Sequence, residues 1–183
     1  MKQLVFLLEE ESMKQMLIGL LPRLKLNCDV KYITFEGKSD LKKQFAKVIN
    51  LWYEQDAFFI VALDQDSNDC IVLKNILNEM AASIKRPFRI RIVCKELESW
   101  YFAQFHFVKQ IYKVKLPKNN RKGTFKHPEK YGAYELEKFT NGEYKKIDGS
   151  RRLGLLLDPD SIVSSSFRLF VSTVREINEG LSE

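Results

Sequence analysis

Two rhythms alternate along the first hundred residues: short runs that are apolar or nearly so, and longer stretches in which apolar residues return at every third and fourth position. Leu4 to Leu8 is the first run, and its continuity suits a central parallel strand covered on both faces. Met13, Met16, Leu17, Leu20 and Leu21 then predict a helix from Ser12, which Pro22 ends because it lacks the amide hydrogen of helical bonding. Val30 to Phe35 reads as a second strand. Gly37 breaks it, and Ser39 or Asp40 can cap a helix through Leu41, Phe45, Val48, Ile49 and Trp52. The run AFFIVAL, from Ala57 to Leu63, gives the strongest strand signal, and Asp64 ends it. From Asn68 or Asp69 the next helix carries Val72, Leu73, Ile76, Leu77 and Met80 on one face. In a fourth strand Arg89 and Arg91 alternate with Phe88, Ile90 and Ile92, the pattern of a more exposed place near a sheet edge.

Repeated strand, helix, strand units favour an α/β architecture, a mostly parallel sheet with helices on both faces. A length of 183 residues suits a single domain spanning 1–183. After Trp100 the rhythm changes. Residues 113–131 are polar and basic, contain Pro117, Gly123 and Pro128, and read as a loop or insertion. A short helix over Tyr134 to Phe139 is expected, and a C-terminal helix carrying Phe167, Phe170, Val171, Val174 and Ile177 packs back on the sheet.

Composition adds little until charge is placed along the chain. Apolar residues make up 45% and charged residues 30%, close to soluble globular averages, so disorder throughout is not expected. Cys28, Cys70 and Cys94 lie far apart without metal-site spacing and read as small buried side chains. The first apolar run has five residues and meets Glu9, Glu10 and Glu11, too short for a signal peptide or a membrane span; a cytoplasmic protein is expected. The net charge is +6, yet residues 108–131 alone hold eight Lys or Arg against Glu129, leaving the rest of the chain at −1. Such a stripe, with Lys118, Arg121, Lys122 and Lys126 at its centre, attracts polyanions such as nucleic acid; a solvated excursion that keeps the protein soluble is the plainer alternative.

Three strand ends terminate in carboxylates: Glu9, then Asp64 and Asp66, then Glu96 and Glu98. In open α/β sheets ligands bind beyond the carboxyl ends of the strands. Helix-dipole pairing accounts for Glu10, Glu11 and Asp69, but less readily for Asp64 and Asp66, which share one side if the extended geometry continues. Were the first and third strands neighbours, about 4.8 Å apart, Glu9 would approach Asp64. Two carboxylates at roughly 4 Å disfavour each other by up to about 4 kcal/mol at an effective dielectric near 20, so a cation or a proton must offset them. Mg²⁺, or Mn²⁺ in its place, fits an oxygen-only set better than zinc does.

The succession LLEEES, MKQMLIGLLPRL, FEGKSDLKK, VALDQDSNDCIVLKN and VCKELESWYF resembles the TOPRIM superfamily, and within it the bacterial family called domain of unknown function 4276; KIDGSRRLG and SSSFRLF extend the resemblance over nearly the whole chain. TOPRIM domains, found in topoisomerases, primases and OLD-type nucleases, use an early Glu and a later Asp-x-Asp to hold Mg²⁺ during phosphoryl transfer. The resemblance implies that Glu9 is the early Glu and that Asp64 and Asp66 are the pair, with Glu10 where a glycine is usual and Ser12 where an acid often stands. It implies a metal-dependent phosphodiesterase or nuclease; with the three strand ends taken together, Glu96 or Glu98 is expected to complete the shell or orient water. It further implies a setting in bacterial defence or mobile elements beside an ATPase of the ABC or AAA kind; association with a second copy of the chain stays open.

Lys38 follows the second strand and is either a phosphate neutraliser or a surface lysine in a glycine turn; the glycine spacing of a P-loop is absent. Arg151, after Gly149 and Ser150, either reaches the site or nucleic-acid backbone, or belongs to a helix-capping cluster. Trp100 reads as core. His106 and His127 lack ligand spacing, and Ser164, Ser165 and Ser166 lack the setting of a nucleophile elbow. The rival to an enzyme is a non-catalytic TOPRIM-like adaptor that binds nucleic acid or the ATPase. Acids that converge favour the first; acids turned to Arg89, Arg91 or Lys95 favour the second.

Overall fold

The computed structural model describes residues 2–115 and 125–180. Along the chain come β1 (Gln3–Leu8), α1 (Glu11–Leu20), a 3₁₀ turn (Leu21–Leu24), β2 (Asp29–Thr34), α2 (Lys38–Asn50), β3 (Ala57–Asp64), α3 (Cys70–Met80) and β4 (Phe88–Val93). Then follow α4 (Glu98–Ala103), α5 (Phe105–Tyr112), a 3₁₀ turn (Pro128–Lys130), α6 (Ala133–Phe139), α7 (Lys146–Gly154) and α8 (Ser165–Gly180). Lys118, Arg121 and Lys122 lie outside the described residues.

All strand pairs are parallel and the order is β2-β1-β3-β4, so the two apolar runs are central and the arginine-bearing strand is an edge. The sheet divides two cores by the strand alternation itself. Leu4, Phe6 and Leu8 of β1 with Ile60 and Ala62 of β3 meet α1, α4, α5, α7 and α8, while Val5, Leu7, Phe59, Val61 and Leu63 meet Leu41, Phe45 and Ile49 of α2 and Leu73 and Leu77 of α3. Trp100 is core: it is 2% exposed, and its indole N–H donates to Ser166 Oγ at 2.9 Å.

Several expectations shift. On α3 only Leu73 and Leu77 are buried, whereas Val72 is 56% exposed and Ile76 and Met80 are exposed too. Five apolar positions make a stripe wider than one contact with the sheet can cover. The cysteines are free and half-buried rather than buried. The basic stretch from 108 begins inside α5, and Phe125 lies in the core, packed edge-on among Phe102, Phe105, Tyr131 and Phe139.

One unforeseen helix matters most. α7 lies against α1 so closely that a Cβ on Gly154 would sit 2.4 Å from the Met16 carbonyl oxygen, and one on Gly19 would sit 2.6 Å from backbone of residues 154 and 155. Only glycine permits that approach. Arg23 fixes the far end, its guanidinium donating to the carbonyls of Gly154 and Leu157 at 2.7 Å and to that of Leu155. The two helices run side by side, which brings Lys146 at the start of α7 to Glu10 at the start of α1.

Candidate functional site

Register sets the site. Leu8 pairs with Ala62, so β1 and β3 end nearly level at the carboxyl edge of the sheet. Glu9 leaves β1 there, and its Oε2 accepts the Asp64 N–H at 2.9 Å. Asp64 is the last residue of β3 and shares the alternation of Ile60 and Ala62, so its side chain enters the core beneath α1 and α7.

That position is severe for a carboxylate. Asp64 is 3% exposed and its Oδ1 has no hydrogen-bond partner. Burial raises its pKa well above the ordinary aspartate value, and the neighbouring carboxylates of Glu98, Glu9 and Glu10 raise it further, against an opposing pull from Lys146. Glu98, on the first turn of α4, is fully buried; its Oε1 accepts the Tyr144 hydroxyl at 2.7 Å and its Oε2 has no partner. Burial raises the Glu98 pKa as well, with Lys146 and the Tyr144 hydroxyl opposing.

Lys146 is the cation of this group. Its Nζ contacts Glu10 Oε2 at 2.8 Å, and Glu10 Oε1 also accepts the Ser12 hydroxyl. Burial works against the charge of Lys146, but the Glu10 hydrogen bond, then Glu98 and Asp64, raise its pKa above the usual lysine value. A lysine at a helix start opposes the helix dipole, so the acids across from it are what hold it charged there.

The remaining predicted residues take other places. Asp66 does not continue the strand: its φ is 54°, its N–H donates to the Lys95 carbonyl at 2.7 Å, and its carboxylate pairs with Lys38 Nζ at 2.5 Å. The left-handed turn therefore takes Asp66 out of the alternation with Asp64 and toward α2. Gly37, at φ 91°, turns the chain into α2, donates to the Glu9 carbonyl at 3.0 Å and so brings Lys38 alongside. Glu9 has its pKa raised by burial first, while the Asp64 N–H and Lys38 act to lower it. Glu96 is elsewhere, accepting the Ala133 N–H at 2.8 Å at the start of α6. Arg151 is exposed and pairs with Asp148 at 2.5 Å. Lys126 is exposed beside the aromatic cluster of Phe125. Of the arginines that were to separate the two readings, Arg91 donates to Thr173 at 2.6 Å and Arg89 lies over Phe58, while Lys95 reaches the Lys130 carbonyl at 3.1 Å.

The structure thus sets the Glu9 carboxylate on the Asp64 backbone N–H, leaves Glu98 close enough to act on the Asp64 charge, and sets Asp66 with Lys38 on the α2 side. Among the described residues no three His, Cys, Asp or Glu come together closely enough to hold a metal ion. The residues that sequence reasoning passed over are Glu10, Tyr144 and Lys146. Glu10 was read as a helix-dipole partner, and nothing local in sequence ties Tyr144 or Lys146 to β1 and β3.

A level pair of strand ends carrying Glu9 and Asp64, closed over by α1 and α7, can now be set against known proteins. The family described as domain of unknown function (DUF4276) matches residues 8–175. The chain belongs to this family. No curated protein matches it. Among solved structures, the C-terminal region of the Burkholderia pseudomallei OLD protein shares its fold, with a TM-score of 0.61 at 11% identity over 96% of this chain and 98% of that one. The DUF4276 match takes in Glu9, Asp64, Glu98 and Lys146 together. No helix among the described residues is long and apolar enough to cross a membrane.

Proposed function

We propose that the chain is a TOPRIM-like, Mg²⁺- or Mn²⁺-dependent phosphodiesterase acting on nucleic acid, with Glu9 and Asp64 as its metal ligands. The observation that carries this reading is the orphaned Oδ1 of Asp64, a buried carboxylate oxygen without a donor on a residue whose backbone N–H is held by Glu9. An unpaired buried polar atom of this kind costs about 1–3 kcal/mol, which a cation would offset. Two carboxylates suffice for Mg²⁺, which commonly keeps several waters and touches substrate phosphate. In this reading Glu9 and Asp64 hold the ion with water completing its shell, and Asp66 joins them only by leaving Lys38.

When bound, the metal would supply a Lewis acid and a water of lowered pKa. The chain's own groups do the rest. Glu9 is fixed by the Asp64 N–H. Lys38 and Lys146 flank the acids with positive charge, suited to phosphoryl oxygens. Glu98, held by Tyr144, adds a second buried acidic group near Asp64, and a cation would favour the ionised form of both. The shared fold with the OLD protein's C-terminal region supports the reading, since the sequence resemblance already pointed to OLD-type nucleases, and the same resemblance brings bacterial defence and an ABC or AAA ATPase as setting and partner.

The Asp66–Lys38 ion pair favours a second reading, an adaptor that keeps the fold without the chemistry. Metal-dependent cleavage of labelled DNA or RNA separates the two: cleavage lost in Asp64→Asn supports the enzyme, and none by wild type with the ATPase supplied supports the adaptor.

A further inference from the structure

Beside Lys146 an open pocket of about 530 Å³ is lined by Gln15, Lys145, Lys146, Ile147, Asp148 and Arg151. It lies outside the carboxylate pair, on the groove between the first turns of α1 and α7. Three of its six lining residues are cationic and one is acidic. Ile147 stands 55% exposed among them, an apolar surface that no neighbour covers.

We infer that this pocket holds one nucleotide unit of a nucleic-acid strand, its phosphates on Lys145 and Arg151 and its sugar or base on Ile147. The inference rests on the phosphodiesterase reading for the strand's direction, because Lys146 is shared: it lines the pocket and faces Glu98 and Asp64. A strand seated here continues toward the carboxylates. The volume is of the size that takes a small-molecule ligand, so it suits a single unpaired nucleotide and is too small for a duplex. The cations are free to turn to phosphate. Lys145 stands 4.0 Å from Glu137 with both side chains largely exposed, and the Arg151–Asp148 pair is also exposed. Exposed pairs of this kind hold weakly, less strongly than a charge-assisted contact to phosphate. Two consecutive lysines at a helix start oppose the dipole, a local cost that an anionic ligand in the groove would offset.

The test is fluorescence anisotropy of a labelled 20-nucleotide single strand, DNA and RNA, with EDTA present so that binding is read without cleavage. Wild type is compared with Lys145→Gln/Arg151→Gln, with Lys43→Gln/Lys47→Gln on the exposed face of α2 as a control of equal charge change, and with Asp64→Asn. Circular dichroism checks that each variant folds; all four altered cations are exposed. Losing two phosphate contacts should flatten the salt dependence by about 1.4, since each contributes roughly 0.7 on a single strand. The control should change far less, and Asp64→Asn should bind at least as well as wild type. The inference is overturned by wild type that binds no strand, by a pocket variant that matches the α2 control, or by binding of a poly-glutamate peptide in competition with the strand at the same residues. Strand binding that depends on the pocket, with no cleavage when Mg²⁺ or Mn²⁺ is restored and the ATPase supplied, would end the phosphodiesterase reading and leave the subsite standing. Cleavage that needs Asp64 but ignores Lys145 and Arg151 would do the reverse.

Discussion

Replacing Asp64 with Asn should stabilise the metal-free protein at neutral pH. Asp64 combines near-complete burial, an unpartnered Oδ1 and three facing carboxylates, Glu98, Glu9 and Glu10. Asparagine has nearly the same shape, carries no charge, and offers an amide that can donate toward Glu98 or Glu9. The gain is about 1–3 kcal/mol, the cost of a buried polar group left unpaired. For a chain of this size each kcal/mol moves the melting temperature by about 2–4 °C. The sign with pH follows from linkage. A carboxyl whose folded pKa is raised holds its proton in the native state at pH values where the unfolded chain has released it, so stability falls as pH rises across that window. The window opens near the unfolded aspartate pKa of about 3.9 and closes at the raised folded value. Glu9 and Glu98 are raised in the same direction and remain, so Asp64→Asn should have a shallower fall with pH, not a flat one. The assay is thermal unfolding in EDTA between pH 4 and 8. A variant several degrees less stable than wild type at pH 7, or one with an unchanged pH slope, would refute the reasoning and make Asp64 a structural partner.

Tyr144→Phe should cost about 1–3 kcal/mol in urea unfolding, because Glu98 loses its 2.7 Å donor while staying fully buried; stability equal to wild type would mean that Glu98 needs no donor. Gly154→Ala should destabilise by about 1–3 kcal/mol, since the added Cβ would lie 2.4 Å from the Met16 carbonyl and backbone must move apart. The same change should weaken metal-dependent activity through displacement of Lys146, and an unaltered melting curve would contradict the close packing of α1 and α7.

Much of the sheet was legible because β1 and β3 are apolar on both faces and β4 carries arginines at alternate positions, signals that depend on strand geometry alone. That Glu9 lies at the end of β1 beside the end of β3 followed from adjacent strands, but its carboxylate meets the Asp64 backbone N–H rather than the Asp64 side chain. What was hidden depends on distant packing. α4 is buried all round, from Glu98 to Ala103, so no amphipathic period marks it. α7 carries two glycines that lower helix propensity and exist for contacts with Tyr144 and Met16. Its Lys146 meets Glu10 across 136 residues of sequence. Asp66 was misplaced for a local reason: the alternation that would align it with Asp64 holds only while the backbone stays extended, and the turn at Asp66 is left-handed.

If Glu9 and Asp64 hold a metal ion that cleaves phosphodiesters, cleavage must depend on both residues and on the ion. End-labelled single- and double-stranded DNA and RNA are incubated with wild type, Glu9→Gln and Asp64→Asn in Mg²⁺, in Mn²⁺ and in EDTA, with and without a candidate ABC- or AAA-type ATPase. A metal ion contributes several kcal/mol to the transition state, and each 1.36 kcal/mol is tenfold in rate. Wild type should cleave only with the metal, and cleavage should fall by at least about a hundredfold in either variant while both remain folded. Cleavage that persists in Asp64→Asn, or proceeds equally in EDTA, would contradict the metal site.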